Sequence, residues 1–145
     1  MPETPAHRPC PLTPLAAAIA LGLLAGCRGG QSIDYARSMP PELRQGEVLN
    51  IQAFRNVTRL QLTNTTARSF EDGTLWINQR FSRPIGRLDA GESVDLPLRE
   101  FVDEFGDTFR AGGFFATRDP DPVVLVQLES GGSLFGLVIG GNRIK

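Results

Sequence analysis

From position 48 onward the chain is a succession of short apolar stretches, each ended by turn residues, and this punctuation restricts the fold more than any other feature of its 145 residues. In VTRLQLTN (57–64), Leu60 and Leu62 alternate with Arg59, Gln61 and Thr63, the period of a strand with one face buried and one in water. VLNIQAF (48–54), TLWINQRF (74–81), ESVDLPL (92–98), TFRAGGFFAT (108–117), PVVLVQLE (122–129) and SLFGLVIG (133–140) read as strands too. Arg55-Asn56, Glu71-Asp72-Gly73, Ala90-Gly91 and Ser130-Gly131-Gly132 supply the turns between them. About seven strands at this spacing predict an all-β fold, an antiparallel β-sandwich. One stretch departs from the pattern. Leu98, Phe101, Val102 and Phe105 fall at i, i+3, i+4 and i+7, with Pro97 ahead of them and Gly106 behind, which predicts one short crossover helix.

Two segments, LTNTT followed by LWIN and the run LDAGESVDLPL, resemble the consensus of small immunoglobulin-like envelope domains. The resemblance spans roughly 50 residues and implies an immunoglobulin-like sandwich without the paired cysteines of antibody domains. It implies nothing about activity, because one fold carries many functions.

The amino-terminal part has a different character. MPETPAHRPCPLTP is polar and proline-rich, LAAAIALGLLAG (15–26) is apolar and free of charge, and Cys27 follows directly. Twelve apolar residues fall well short of the roughly 20 needed to span a bilayer, so residues 1–26 read as a secretory signal peptide. Leu24-Ala25-Gly26-Cys27 resembles the lipobox of bacterial lipoproteins. That resemblance implies cleavage before Cys27, lipid on its sulfur and a membrane-bound product of the bacterial cell envelope. Arg28 stands where an aspartate would mark inner-membrane retention, which points to the outer membrane in a cell that has two. Residues 27–47 then read as the lipidated cysteine and a flexible tether with a reach of roughly 25 Å, and 48–145 as the β-domain.

These readings exclude several chemistries. With 15 Lys plus Arg against 16 Asp plus Glu there is no field to gather nucleic acid, so no nucleic-acid partner is expected. Cleavage would remove His7 and Cys10, and lipidation would consume Cys27. The mature chain then has no histidine and no thiol for a nucleophile pair, a zinc site or haem, and no cofactor is expected. Carboxylates remain. Asp103, Asp107, Asp119 and Asp121, near Glu100 and Glu104, offer an alternative calcium site if their loops meet. A pair of carboxyl groups facing each other across a cleft about 5–10 Å wide would instead suit an enzyme acting on envelope glycans.

Alternation in 74–81 puts Leu75, Ile77 and Phe81 on a core face and Trp76 on the other, with Asn78 and Arg80. Tryptophan and arginine are the common anchors of interfaces, so Trp76 and Arg80 are the candidate partner-binding residues. The last two strands are apolar on both faces, and their second face must be covered by the tether, the short helix or another molecule. Lys145, the only lysine, has the terminal placement by which some lipoproteins attach to peptidoglycan. The expected function is a lipid-anchored, non-catalytic envelope module that binds a protein or envelope polymer, or serves a structural role. The alternative is the carboxylate-dependent enzyme.

Overall fold

The computed structural model describes Met1 and residues 34–141. The expected signal segment, Cys27 and Lys145 lie outside the described residues. None of the described helices is long and apolar enough to cross a membrane.

Seven strands are present: β1 (Gln45–Asn56), β2 (Arg59–Asn64), β3 (Phe70–Ile77), β4 (Phe81–Leu88), β5 (Ser93–Pro97), β6 (Val126–Ser130) and β7 (Ser133–Ile139). They form one mixed sheet in the order β4-β3-β6-β7-β1-β2-β5, curled into a half-barrel. The fold is all-β, as the punctuation predicts. Its single concave face does the work that two facing sheets do in a sandwich. Leu49, Ile51 and Ala53 of β1, Leu60 and Leu62 of β2, Leu75 and Ile77 of β3, and Val126 and Leu128 of β6 all point into that face. Every pairing is antiparallel except β1 with β7, which run parallel with two register shifts. That parallel pair is possible because the chain between β1 and β7 travels through five other strands, a connection far longer than a hairpin.

The crossover after β5 exists, but it is not the expected helix. Only Leu98–Glu100 makes a 3-10 turn, and the chain then runs extended from one sheet edge to the other. The Val102 amide donates to Ser82 O and its carbonyl accepts from the Ser82 amide, 3.1 and 2.7 Å away. Those groups are therefore engaged with the edge strand β4 and cannot close helical bonds. Leu98, Phe101 and Val102 are buried as the spacing implied, whereas Phe105 points into solvent.

Three further differences have local causes. TFRAGGFFAT is a loop rather than a strand, since Gly112 and Gly113 take φ values of 80° and 123° that no ladder accommodates. FSRPIGRL forms β4 despite its proline, which an edge strand tolerates because the missing N–H has no partner to lose. Glu71-Asp72-Gly73 is a bulge inside β3, with Asp72 at φ 47°, rather than a turn before it.

The second face of the sheet is covered around Trp76 by the chain's own earlier segment, while Val48, Phe54 and Val138 on that face stay exposed. Trp76, Gln127 and Gly136 lie side by side on β3, β6 and β7, and Gly136 pairs with Val48 of β1. Across this row run residues 34–44, expected to be free tether. The Arg37 guanidinium stacks 4.9 Å over the Trp76 ring and pairs with Glu129 at 2.5 Å. Tyr35 donates to Glu100 O at 2.7 Å, and Gln127 donates to Gln45 at 2.7 Å. Strand β1 accordingly begins three residues before the expected domain start at Val48.

Candidate functional site: an arginine-lined cleft at one end of the sheet

The longest connection between strands lies at one end of the half-barrel. The β1–β2 turn, the β3–β4 turn and the whole segment 98–125 lie there, while the β6–β7 turn closes the opposite end. A connection of 28 residues with one short helical turn is exceptional in a compact domain, and such loops usually serve function. It is firmly held.

Three side chains fix it. Asn78 and Gln79 form the β3–β4 turn with φ of 54° and 58°, closed by the Arg80 amide donating to Ile77 O at 3.1 Å. Asn78 donates to Pro122 O at 2.7 Å and accepts from the Val124 and Leu125 amides at 3.0 and 3.2 Å, so one amide group clamps the end of the loop. Arg55 is buried at the end of β1 and donates to Val57 O at 3.0 Å, Ala111 O at 2.7 Å and Asp121 O. Burial lowers its pKa against the opposing pull of Asp121. Asp103, also buried, accepts from the Phe105 and Asp107 amides at 3.0 and 2.9 Å and from Arg80 at 2.7 Å. Burial alone would raise its pKa, but these three donors together outweigh burial and hold it below the ordinary carboxylate value.

Between these supports lies an open cleft of about 550 Å³ lined by Asn78, Arg80, Phe81, Asp107, Thr108, Arg110, Arg118, Asp121 and Pro122. Arg110 forks onto Asp121 at 2.9 and 2.5 Å, and this hydrogen bonding holds the Asp121 pKa down despite partial burial. Arg80 is exposed and leans back on Asp103. Arg118 lines the cleft and has no ion-pair partner among the described residues. A cavity of this size with a charged lining suits a hydrated, polar group rather than an apolar ligand.

The structure brings only some of the expected residues to this place. Arg80 lines the cleft, but from the β3–β4 turn rather than from a strand face, because β3 ends at Ile77. Trp76 is on the predicted side of the sheet yet 0% exposed, because Arg37 covers its ring and Glu129 accepts from its Nε1 at 2.8 Å. It is therefore packing rather than an open anchor. The calcium alternative also fails. Asp103 is bound by Arg80 and two amides and Asp121 by Arg110, and no group of three carboxylates able to hold a metal occurs among the described residues. Alternation does not single out Arg110 and Arg118. Their signal in the sequence is positional: two arginines bracket AGGFFAT within the longest interval between ladder strands.

No protein-family model, curated protein or solved structure matches this chain.

Proposed function

We propose that this protein is a lipid-anchored, non-catalytic module of the bacterial cell envelope that binds an acidic envelope polymer in the arginine-lined cleft. The observation that carries the reading is Arg118, without an ion-pair partner among the described residues, beside Arg80 and Arg110 in one cleft. A guanidinium left without a counter-ion at a concave site offers a fork of donors matched to carboxylate or phosphate. The anchor is Cys27, on the strength of Leu24-Ala25-Gly26-Cys27 and the apolar run ahead of it. Arg28 favours the outer membrane.

The test is co-sedimentation of the full chain with purified cell-wall sacculi. Arg118→Gln should weaken binding by about tenfold, the cost of one charge-assisted contact, and leave thermal stability unchanged. Binding equal to wild type would remove the cleft from the account.

A second reading has one observation in its favour, since Asp107 and Asp121 line the same cleft. A glycosidase needs one carboxyl group with a raised pKa to serve as acid. Asp121 is held down by Arg110, the opposite direction, which supports the binding reading. Release of soluble fragments from sacculi by wild type, and not by Asp107→Asn, would favour the enzyme.

A further inference from the structure

Two phenylalanines stand almost wholly in water at the tip of the loop between Arg110 and Arg118. Phe114 is 96% exposed and Phe115 91%, and their rings touch each other edge to face at 5.0 Å. A third ring at the same end, Phe105, is 81% exposed. Burying such rings is worth enough that a monomer rarely leaves them together in solvent.

The loop that carries them is braced. Arg55 holds the carbonyls of Ala111 and Asp121, Arg110 is paired to Asp121, and the Ala116 amide donates to Gly113 O at 3.0 Å. Gly112 takes φ 80°, and a Cβ there would stand 2.9 Å from Pro120, so the projecting turn is reserved for glycine. The aromatic tip is thus presented by a fixed base.

We propose that the Phe114–Phe115 tip inserts into the surface of a phospholipid bilayer, giving the domain a second membrane contact besides any lipid on Cys27. Two observations select lipid as the occupant. The described chain begins at this same end, where Tyr35 is bound to Glu100, and Cys27 lies only seven residues before Asp34. At about 3.3–3.6 Å per residue, that span is at most about 25 Å, so an anchored domain cannot stand far from the bilayer. The second is the shape of the feature, a convex aromatic tip rather than a groove that would receive a partner's side chain. Segment 98–125 carries three arginines against six carboxylates, so insertion is driven by the rings rather than by charge. Zwitterionic lipid suffices, and salt does not weaken the contact.

The inference goes beyond the cleft reading and rests on the proposed anchor for its choice of lipid. Its test uses the full chain carrying Phe115→Trp in phosphatidylcholine vesicles, with wild type as the blank for buried Trp76. Lipid brominated in the upper acyl chain should quench the added F115W emission, the emission should shift to the blue, and acrylamide quenching should fall several-fold. Adding Phe114→Ser to F115W should lower the bromolipid quenching by about half or more. Emission that stays fully open to acrylamide while the chain floats with the vesicles overturns the proposal. So does protection from acrylamide without bromolipid quenching, which assigns the tip to a protein or a second copy of the chain. Quenching in a chain whose Cys27 proves unmodified by mass spectrometry upholds the loop and removes only the anchor; normal sacculus binding by F115W keeps the cleft as a separate question.

Discussion

Gln79 is one of four non-glycine residues held at positive φ among the described residues. It shares the left-handed turn of β3–β4 with Asn78, but a glutamine lacks the short amide that makes this conformation tolerable for asparagine. Gln79→Gly should stabilise the protein by about 0.5–1 kcal/mol, the left-handed cost less the added freedom of the unfolded chain. Asn78→Ala should destabilise it by about 2–3 kcal/mol, because three backbone partners in 122–125 lose their bond. Urea unfolding measures both. A second residue-scale expectation concerns acid. Asp103 and Asp121 titrate below the ordinary aspartate value, Asp103 through Arg80 and two amides set against burial, Asp121 chiefly through Arg110. Their ionised forms bind in the folded state, so this stability is fully present above the unfolded pKa of about 4 and lost as pH falls through the lower folded values. Thermal melts should therefore hold steady from neutral pH down to about 5 and drop below about 4, and Asp103→Asn should flatten part of that drop.

At the scale of elements, the strands whose alternation faces one core were legible, and those decided by their neighbours were not. Leu60 and Leu62, or Leu75 and Ile77, are buried because their period matches one concave face. β4 was hidden by Pro84 and Gly86, residues that break an interior strand but cost little at an edge. The apparent helix at 98–105 failed because Val102 spends its backbone on Ser82, a long-range fact that no local spacing records. The cleft was only partly legible for the same reason. Alternation put Arg80 on a strand face although β3 ends at Ile77, and its meeting with Arg110 and Arg118 depends on how 98–125 is folded back. Trp76 illustrates the limit of alternation, which assigns a side and not its exposure. Its burial predicts that Trp76→Ala costs about 3–5 kcal/mol by thermal or denaturant unfolding. A change within about 0.5 kcal/mol, typical of surface positions, would show that residues 34–44 do not cover it.

For the whole molecule, the contacts of 34–44 alter what a tether can do. Tyr35 and Arg37 are committed to the sheet, so only the residues between Cys27 and Asp34 separate an anchor from the domain, rather than the twenty that composition suggested. The arginine cleft and the aromatic tip lie at the end of the sheet where Tyr35 is bound to Glu100. The account rests on the anchor being real. Its most direct test is intact-mass and peptide mass spectrometry of the full chain recovered from the membranes of a bacterial host. The account predicts loss of residues 1–26 and a diacylglyceryl group on Cys27, with Cys27→Ser abolishing both. Recovery of a chain that retains Met1, or that begins elsewhere with Cys27 unmodified, would contradict it.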